Sequence, residues 1–570
     1  MTVLLKRWGL PLSGIHAELV NGCMYIRPTG VGEGAKPTLM PPKVIMKLIT
    51  RVHPEMRRRT RTAAQAWKER RWRAEVDQWF NHDRAETVAQ NLAFQGVNVS
   101  RLDNAQLASQ IAELLAHFEA QARKNMENHG GDLMPVGDLL AHCSAWGIDP
   151  GEAAGLLRGS SPATVETARL LEPVALALRD SDVHKRPMSV EEVCQLSTEA
   201  RVAVDSWLEL HAWRLVTSDD IDRPTLAEIP ALQLAALLAA GSRDIKGSVP
   251  VDVEAVRRRV PADKQTLFDE LLVEARYGNP QREDIRGIRW NWPGGLLRRA
   301  LLEAGRRLAA SGALADPEHV AELSPVELTN LLTNGTGPSA GHVGERAATR
   351  DHIEAMPPPR MLGEPEAPPP LDAFPAAMAR ATAAMMSNLV ADATPPQSDV
   401  LRGVGIGGET YRGRARIVTG ASDAFERLEP GDVLIAAFIG PSFNSILPIL
   451  GALVVEEGGP LCHAAIVARE FGLPAVIGAR GATVHIADGA LVEVNASTGV
   501  VRAIRAAGSV TEHDRPTGRL STNGNRDLGL LRRLLRCGHR GSHRRETAER
   551  QTAQEHRRCP TESSKLPSRT

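Results

Sequence analysis

A histidine at the start of a helix is the residue of this chain best placed to do chemistry. The stretch Glu456-Glu457-Gly458-Gly459-Pro460-Leu461-Cys462-His463-Ala464-Ala465-Ile466-Val467-Ala468-Arg469-Glu470-Phe471-Gly472-Leu473-Pro474 reads as a buried strand (Ala452–Val455) running into a glycine-rich turn and then a helix. His463 falls in the first turn of that helix. Gly472 can close it in the left-handed conformation, and Pro474 prevents its continuation. An imidazolium at this end is disfavoured by the helix dipole, whereas an anion is favoured. Unpaired N–H groups at the helix start would stabilise a phosphoryl group carried on the ring. They would also keep the ring neutral and nucleophilic near pH 7. Gly458 and Gly459 let a phosphate or another backbone approach without a Cβ in the way. From spacing alone, an ordinary histidine near a helix start fits equally well, because short motifs recur by chance.

The elements around this segment divide the chain. At 570 residues it exceeds the roughly 250–300 at which one hydrophobic core stops growing, so more than one domain is expected. Residues 1–355 read as a mostly α-helical region. Leu107, Ile111, Leu114, Leu115 and Phe118 recur at helical spacing. Ser189 with Glu192 and Ser324 with Glu327 form capping boxes, the first opening an apolar run through Val193, Leu196, Val202 and Leu208. A strand-like piece, Cys23-Met24-Tyr25-Ile26, lies near the start. Residues 356–400 comprise a proline-rich linker, 356–375, and a short helix at about 376–390.

Residues 401–505 change character: short β-rich runs at 415–418, 433–435, 452–455, 475–477 and 491–494 alternate with helical runs at 443–450 and 463–471. This predicts a compact α/β domain. Residues 506–570 form a disordered, Arg-rich tail, too poor in apolar residues to offset the entropy of ordering them.

The predicted fold class is therefore multidomain: a helical N-terminal region, a C-terminal α/β domain and a disordered basic tail. Apolar residues make up 42% of the chain and charged residues 24%, ordinary values for a soluble globular protein. Six dispersed cysteines without a CxxC argue against a disulfide framework and against a structural zinc site, and no metal site is expected. No run approaches the ~20 apolar residues of a membrane span, and a cytoplasmic protein without a membrane partner is expected. The net charge is zero, but residues 515–570 carry 14 Lys/Arg against 5 Asp/Glu. Such a tail can bind nucleic acid electrostatically. It has neither a folded nucleic-acid motif nor interleaved aromatics, so a solvated extension is the stronger reading. The basic run at 57–73 with Trp67, Trp72 and Trp79 is interleaved with acids and reads as an amphipathic helix packing its tryptophans.

The residues quoted around His463 closely resemble the phosphohistidine, or swivelling, domain of the phosphoenolpyruvate-utilising enzymes, such as phosphoenolpyruvate synthase, pyruvate phosphate dikinase and rifampicin phosphotransferase. The resemblance extends over residues 401–504 and includes Gly403, Gly407, Gly413, Pro430-Gly431-Asp432-Val433-Leu434 and Asp488-Gly489. It implies that His463 is a transiently phosphorylated carrier, that Gly458 and Gly459 bind phosphate, and that Arg469 assists.

Many relatives have Thr or Ser in the two positions before the histidine, where Leu461 and Cys462 stand here. A thiol is the weaker donor, and Cys462 reads as a small buried spacer. A weaker resemblance links residues 214–230, Arg282-Glu283, 297–308 and 311–314 to the substrate-binding domain of rifampicin phosphotransferases. It implies that Arg282 binds the transferred phosphoryl and that Glu283 is an acceptor-side base. A solvated ion pair before a helix is the competing account of these two residues, and Arg214 and Glu228 read as structural.

Neither an ATP-grasp nucleotide domain nor a phosphoenolpyruvate-binding barrel is recognisable in the sequence. The resemblance thus implies a phosphotransferase subunit, incomplete without an ATP-grasp partner acting in trans. ATP and Mg2+ belong to the partner, no cofactor is bound by this chain, and a small-molecule hydroxyl is the acceptor. The alternative is a non-catalytic small-molecule-binding protein with a vestigial carrier domain.

Overall fold

The computed structural model describes residues 2–505 apart from 33–41, 161–166, 168, 182–186, 216–219, 243–250, 357–358, 360, 364–368, 390–399, 408, 421–422, 425–426, 441–442, 444–445 and 461. The Arg-rich tail and Leu461 lie outside the described residues.

After a short helix at Thr2–Arg7 comes an antiparallel hairpin, β1 (Leu12–Val20) and β2 (Cys23–Gly30). The sequence marks only part of β2. Its partner β1 is half-exposed along most of its length, so no apolar alternation betrays it. The helical region follows: after a helix at Lys43–Val52 come α1 (Pro54–Lys68), α2 (Arg71–Gln78) and α3 (Arg84–Gly96). Trp72 and Trp79 are buried, and Trp8 stacks on Trp72 at 6.5 Å, so the tryptophans of the basic run serve the core. Arg59, also buried, donates to the Leu10 carbonyl at 2.9 Å.

Helix α4 (Asn104–Asn128) buries Leu107, Ile111 and Leu114, the face its spacing predicts, and is followed by α5 (Gly130–Ala145). After Ser189 the expected continuous helix is two. A short one, Val190–Cys194, ends before Ser197, whose hydroxyl takes the backbone N–H of Ala200 and starts α6 (Thr198–His211). A serine able to cap a new helix outweighs apolar periodicity that could have run on.

Further along lie α7 (Gln265–Gly278), α8 (Pro280–Arg286), α9 (Trp292–Ala310) and α10 (Pro325–Asn334). The last carries the complete Ser324–Glu327 capping box that the sequence predicts. Two π-helical turns, Trp79–Asp83 and Gly287–Asn291, lie beside each other. Arg289 bonds Asp83 at 2.6 Å and covers the Trp79 ring at 4.6 Å. Such widened turns shift the register of the following side chains and recur at functional sites.

Helix α11 (Ala376–Leu389) lies where the sequence expects a short helix, but it belongs to the helical body. It packs on α5 and α1, with Met378, Ala381 and Ala384 fully buried. Arg380 pairs with Asp138 at 2.5 Å and lies over Trp67. The proline-rich segment precedes a helix fixed in the helical body and so cannot be the pivot of the α/β domain.

The α/β domain is an eight-stranded sheet of β3 (Val400–Arg402), β4 (Val404–Ile406), β5 (Thr410–Ile417), β6 (Val433–Ala436), β7 (Ala452–Val455), β8 (Ala475–Ile477), β9 (Leu491–Asn495) and β10 (Val500–Arg505). Its order is β3-β10-β9-β5-β6-β7-β8-β4, with β5 through β8 parallel and the other pairings antiparallel. Every residue of β6 and β7 is buried, as expected of parallel strands covered on both faces. One face packs Leu434, Leu453 and Val455 under α12 (His463–Phe471), through Ala464, Ala465, Val467 and Ala468. The helix expected at 443–450 is, among the described residues, a single 3-10 turn at Leu447–Ile449. Pro448 within it lacks the N–H that an α-helix would use.

Among the described residues the two regions meet at Gly151 and at His463. Gly151, in the short helix Pro150–Gly155, lies so close to the Gly405 carbonyl of β4 that a Cβ would fall 1.8 Å from it. The second contact is at His463. Among the described residues no helix is long and apolar enough to cross a membrane. The described cysteines Cys23, Cys143, Cys194 and Cys462 are unpaired.

Candidate functional site

His463 is the first residue of α12, directly after the C-terminal end of β7 and its glycine turn. Gly458 sits at φ +127°, where a Cβ would lie 2.6 Å from Cys462 Sγ. Only glycine takes this conformation without strain, so the turn folds back tightly under the helix start. The Gly459 carbonyl accepts the backbone N–H of Cys462 at 3.0 Å. Arg469, two turns into α12 and 5% exposed, donates to the Pro460 carbonyl at 2.5 Å. This geometry places Arg469 behind the loop, where it fixes the path of Gly458–Cys462.

Cys462 is the N-cap of α12, with the extended backbone of such a position (φ −70°, ψ 164°), yet its side chain makes no capping hydrogen bond. Burial pushes its thiol up, while the N–H groups of Ala465 and Ala464 and the charges of Arg469 and Arg282 oppose the rise. A buried, protonated spacer fits these surroundings better than a reactive thiolate does.

From the helical region, α8 brings Arg282 and Glu283 to the histidine. Pro280 begins this helix at the position where a missing N–H costs nothing. Its next residue after Glu283, Asp284, is buried and held by Trp79 Nε1 and Arg84 Nε, both at 2.8 Å. Glu283 is thus carried on an anchored helix. Its Oε2 lies 3.7 Å from His463 Nδ1, with the side chains 29% and 14% exposed respectively.

Burial would push the Glu283 carboxyl up, but the hydrogen bond and charge of His463, with Arg282 and Arg286, overcome this and hold it at about 2. It is ionised at neutral pH and faces Nδ1, so a proton held on that nitrogen would leave the Nε2 lone pair free to act as nucleophile. The structure therefore gathers Arg282, Glu283 and His463 at one place, with Gly458, Gly459 and Arg469 shaping the support of the histidine. Arg286 joins them and was not picked out from the sequence. Its spacing of three from Glu283 and four from Arg282 on one helix is the signal that could have found it.

Arg214, just after α6, reaches the end of α8 at Gly287, and His211 closes α6. The Arg214 guanidinium stacks against the Trp292 ring at 5.4 Å, and burial lowers it to about 10. His211, at the end of α6, stacks on Trp207 at 6.0 Å, and burial lowers it well below the ordinary histidine value. Glu228 is engaged by Arg298 at 2.8 Å and by its own capping box with Thr225, a structural placement. Among the described residues no group of three or more His, Cys, Asp or Glu is arranged to hold a metal ion.

Residues 428–499 match the family model of the PEP-utilising enzyme mobile domain. The chain is similar to the rifampicin phosphotransferase of Streptomyces sviceus, 27% identical over 335 residues, covering 53% of this chain and 34% of that one. It is also similar to an uncharacterised phosphotransferase of Bacillus subtilis, 24% identical over 381 residues, covering 61% of this chain and 43% of that one. A shorter match is to the phosphoenolpyruvate synthase of Aeropyrum pernix, 38% identical over 120 residues, covering 20% of this chain and 15% of that one. The chain thus spans less than half the length of each of these relatives.

Proposed function

We propose that this protein, carrying the mobile domain of the PEP-utilising enzymes, is a phosphotransferase subunit that relays a phosphoryl group on His463 to a hydroxyl of an organic small molecule. The observation that carries this reading is the meeting of the two regions at the histidine: Glu283 of the helical region reaches His463 Nδ1 of the mobile domain.

Phosphoryl transfer asks little covalent chemistry of a protein and much positioning and charge. In the first transfer the Nε2 lone pair attacks a phosphorus of ATP held by an ATP-grasp partner, where Mg2+ also belongs. The P–N bond forms as the bridging P–O bond breaks, and its electron pair leaves on the departing phosphate oxygen. At 14% exposure in the docked arrangement, His463 is too covered to meet such a partner, so charging requires the mobile domain to lift from α8. In the second transfer the acceptor oxygen attacks the phosphorus, the P–N bond breaks, and its electron pair returns to the ring. Arg282 and Arg286 balance the charge of the transferring group. A carboxylate held at about 2 is a weak base. A loose transition state needs little more, so Glu283 orients the ring and the hydroxyl and takes the proton late.

The experiment is intact-mass and acid-lability analysis of the full chain incubated with ATP, Mg2+ and an ATP-grasp partner of demonstrated activity. An acid-labile phosphate is expected on the wild type and none on His463→Ala with its fold intact. Label retained in that variant would refute the carrier role. The second reading, a non-catalytic binding protein with a vestigial carrier, draws on the uncapped helix start at Cys462. It gains if the wild type takes no label from the active partner.

A further inference from the structure

Arg214 is set beside the proposed acceptor site, and no carboxylate among the described residues bonds its side chain. The main chain at and after Arg214 is clamped: the Leu226 N–H donates to the Arg214 carbonyl at 3.2 Å, the Leu215 N–H donates to the Asn291 carbonyl at 3.1 Å, and Asn291 Nδ2 donates to the Leu215 carbonyl at 3.2 Å. The side chain is thereby aimed at the π turn that follows α8. Its Nε is buried and has no hydrogen-bond partner among the described residues, although the residue as a whole keeps partial exposure.

The carboxylate that attracts it, Asp284, is committed to Trp79 and Arg84. A cation taken out of water without a bonded anion is costly, and proteins rarely leave one so unless something else supplies the charge. Gly287 makes room for it: a Cβ there would lie 3.0 Å from Arg214 Nη1. The Gly287 N–H bonds the Glu283 carbonyl, so the two residues stand one turn apart on one helix face, with side-chain origins about 5–6 Å from each other.

We infer that Arg214 binds an anionic group of the acceptor, a carboxylate or phosphate ester, one helical turn from the hydroxyl that receives the phosphoryl group. This rests on reading the contact of Glu283 with His463 as the acceptor site. The acceptor is then a small hydroxylated anion rather than a neutral compound. The phosphoryl end meets Arg282 and Arg286, and the acceptor's own charge meets Arg214. A bidentate guanidinium contact would fix the distance between anion and hydroxyl, and so select among acceptors by length.

The test uses the unphosphorylated full chain without nucleotide, so its outcome is independent of whether His463 is ever charged. Thermal unfolding is followed while acetate, benzoate or methyl phosphate is titrated against chloride at constant ionic strength. At least one should stabilise the wild type saturably, and the carboxylates against methyl phosphate tell which anion class fits. The stabilisation should persist in His463→Ala and weaken at least roughly tenfold in affinity in Arg214→Met, the loss expected of a charged hydrogen bond. Without anion, Arg214→Met should unfold no earlier than the wild type, since it removes a buried charge. Gly287→Ala keeps that charge but crowds Nη1, and should weaken the same anion severalfold, which decides the matter if Arg214→Met fails to fold. No stabilisation of the wild type by any of the three, or equal stabilisation in both variants, overturns the inference.

Discussion

Replacing Cys462 by serine should strengthen the start of the helix that carries the histidine. Cys462 already has the extended backbone of an N-cap, but its side chain accepts no hydrogen bond from the first turn. A serine hydroxyl in that place can accept from the Ala465 N–H, one of the orphan donors at the helix start. Exchanging a good N-cap for a poor one costs ~1 kcal/mol, so the reverse exchange should contribute about the same. The thiol packs at the edge of the core under α12. The hydroxyl enters that space paired, which avoids the penalty of an unsatisfied buried polar group.

A gain of about 1 kcal/mol corresponds to roughly fivefold slower opening of the first turn. Native-state hydrogen exchange at Ala464, Ala465 and Ile466 reads this directly. Amides in β6 and β7 serve as internal controls for a change in global stability. Unchanged or faster exchange in Cys462→Ser would refute the capping argument. It would also show that the tight Gly458 turn, not the missing cap, sets the stability of this end.

Gly458→Ala should destabilise the α/β domain by about 1–3 kcal/mol through strain at positive φ, measured by denaturant unfolding. Adding Cys462→Ala to that variant should recover part of the loss, because the new methyl group would otherwise meet Sγ 2.6 Å away. Arg469→Met should cost about 1.5–3 kcal/mol, a charged hydrogen bond to a buried carbonyl, and should slow labelling of His463; normal stability would count against the Pro460 contact. Glu283 is held at about 2, against 4.5 in an ordinary carboxyl. Its contribution is present above the ordinary value and is lost as pH falls from 4.5 toward 2. The stability difference between wild type and Glu283→Gln should therefore be full above pH ~5, at most on the order of 3 kcal/mol, and vanish near pH 2. A difference independent of pH in unfolding experiments would refute the pairing with His463.

The α/β domain was the more legible part of the sequence, because its signals are local. Two of its strands, 452–455 and 475–477, and helix 463–471 lie where their apolar runs, glycines and Pro474 put them. A buried parallel strand and a capped helix each announce themselves within ten residues. The same holds for Ser324 and Glu327 in the helical region.

Tertiary structure alone decided the relations between distant segments. Nothing in the proline-rich composition at 356–375 reveals that the next helix is locked onto α5 and α1, because that depends on Arg380 finding Asp138. The adjacent residues Arg282 and Glu283 fit a solvated pair as readily as a site until His463, 180 positions later, is set 3.7 Å from the carboxylate. Arg214 read as structural because a guanidinium's role is fixed by what surrounds it, and its burial beside Gly287 arises only when α8 and the segment after α6 are packed together. Periodicity and caps are written along the chain. The charge of a site is the sum of groups that folding brings together, and that sum is settled in three dimensions.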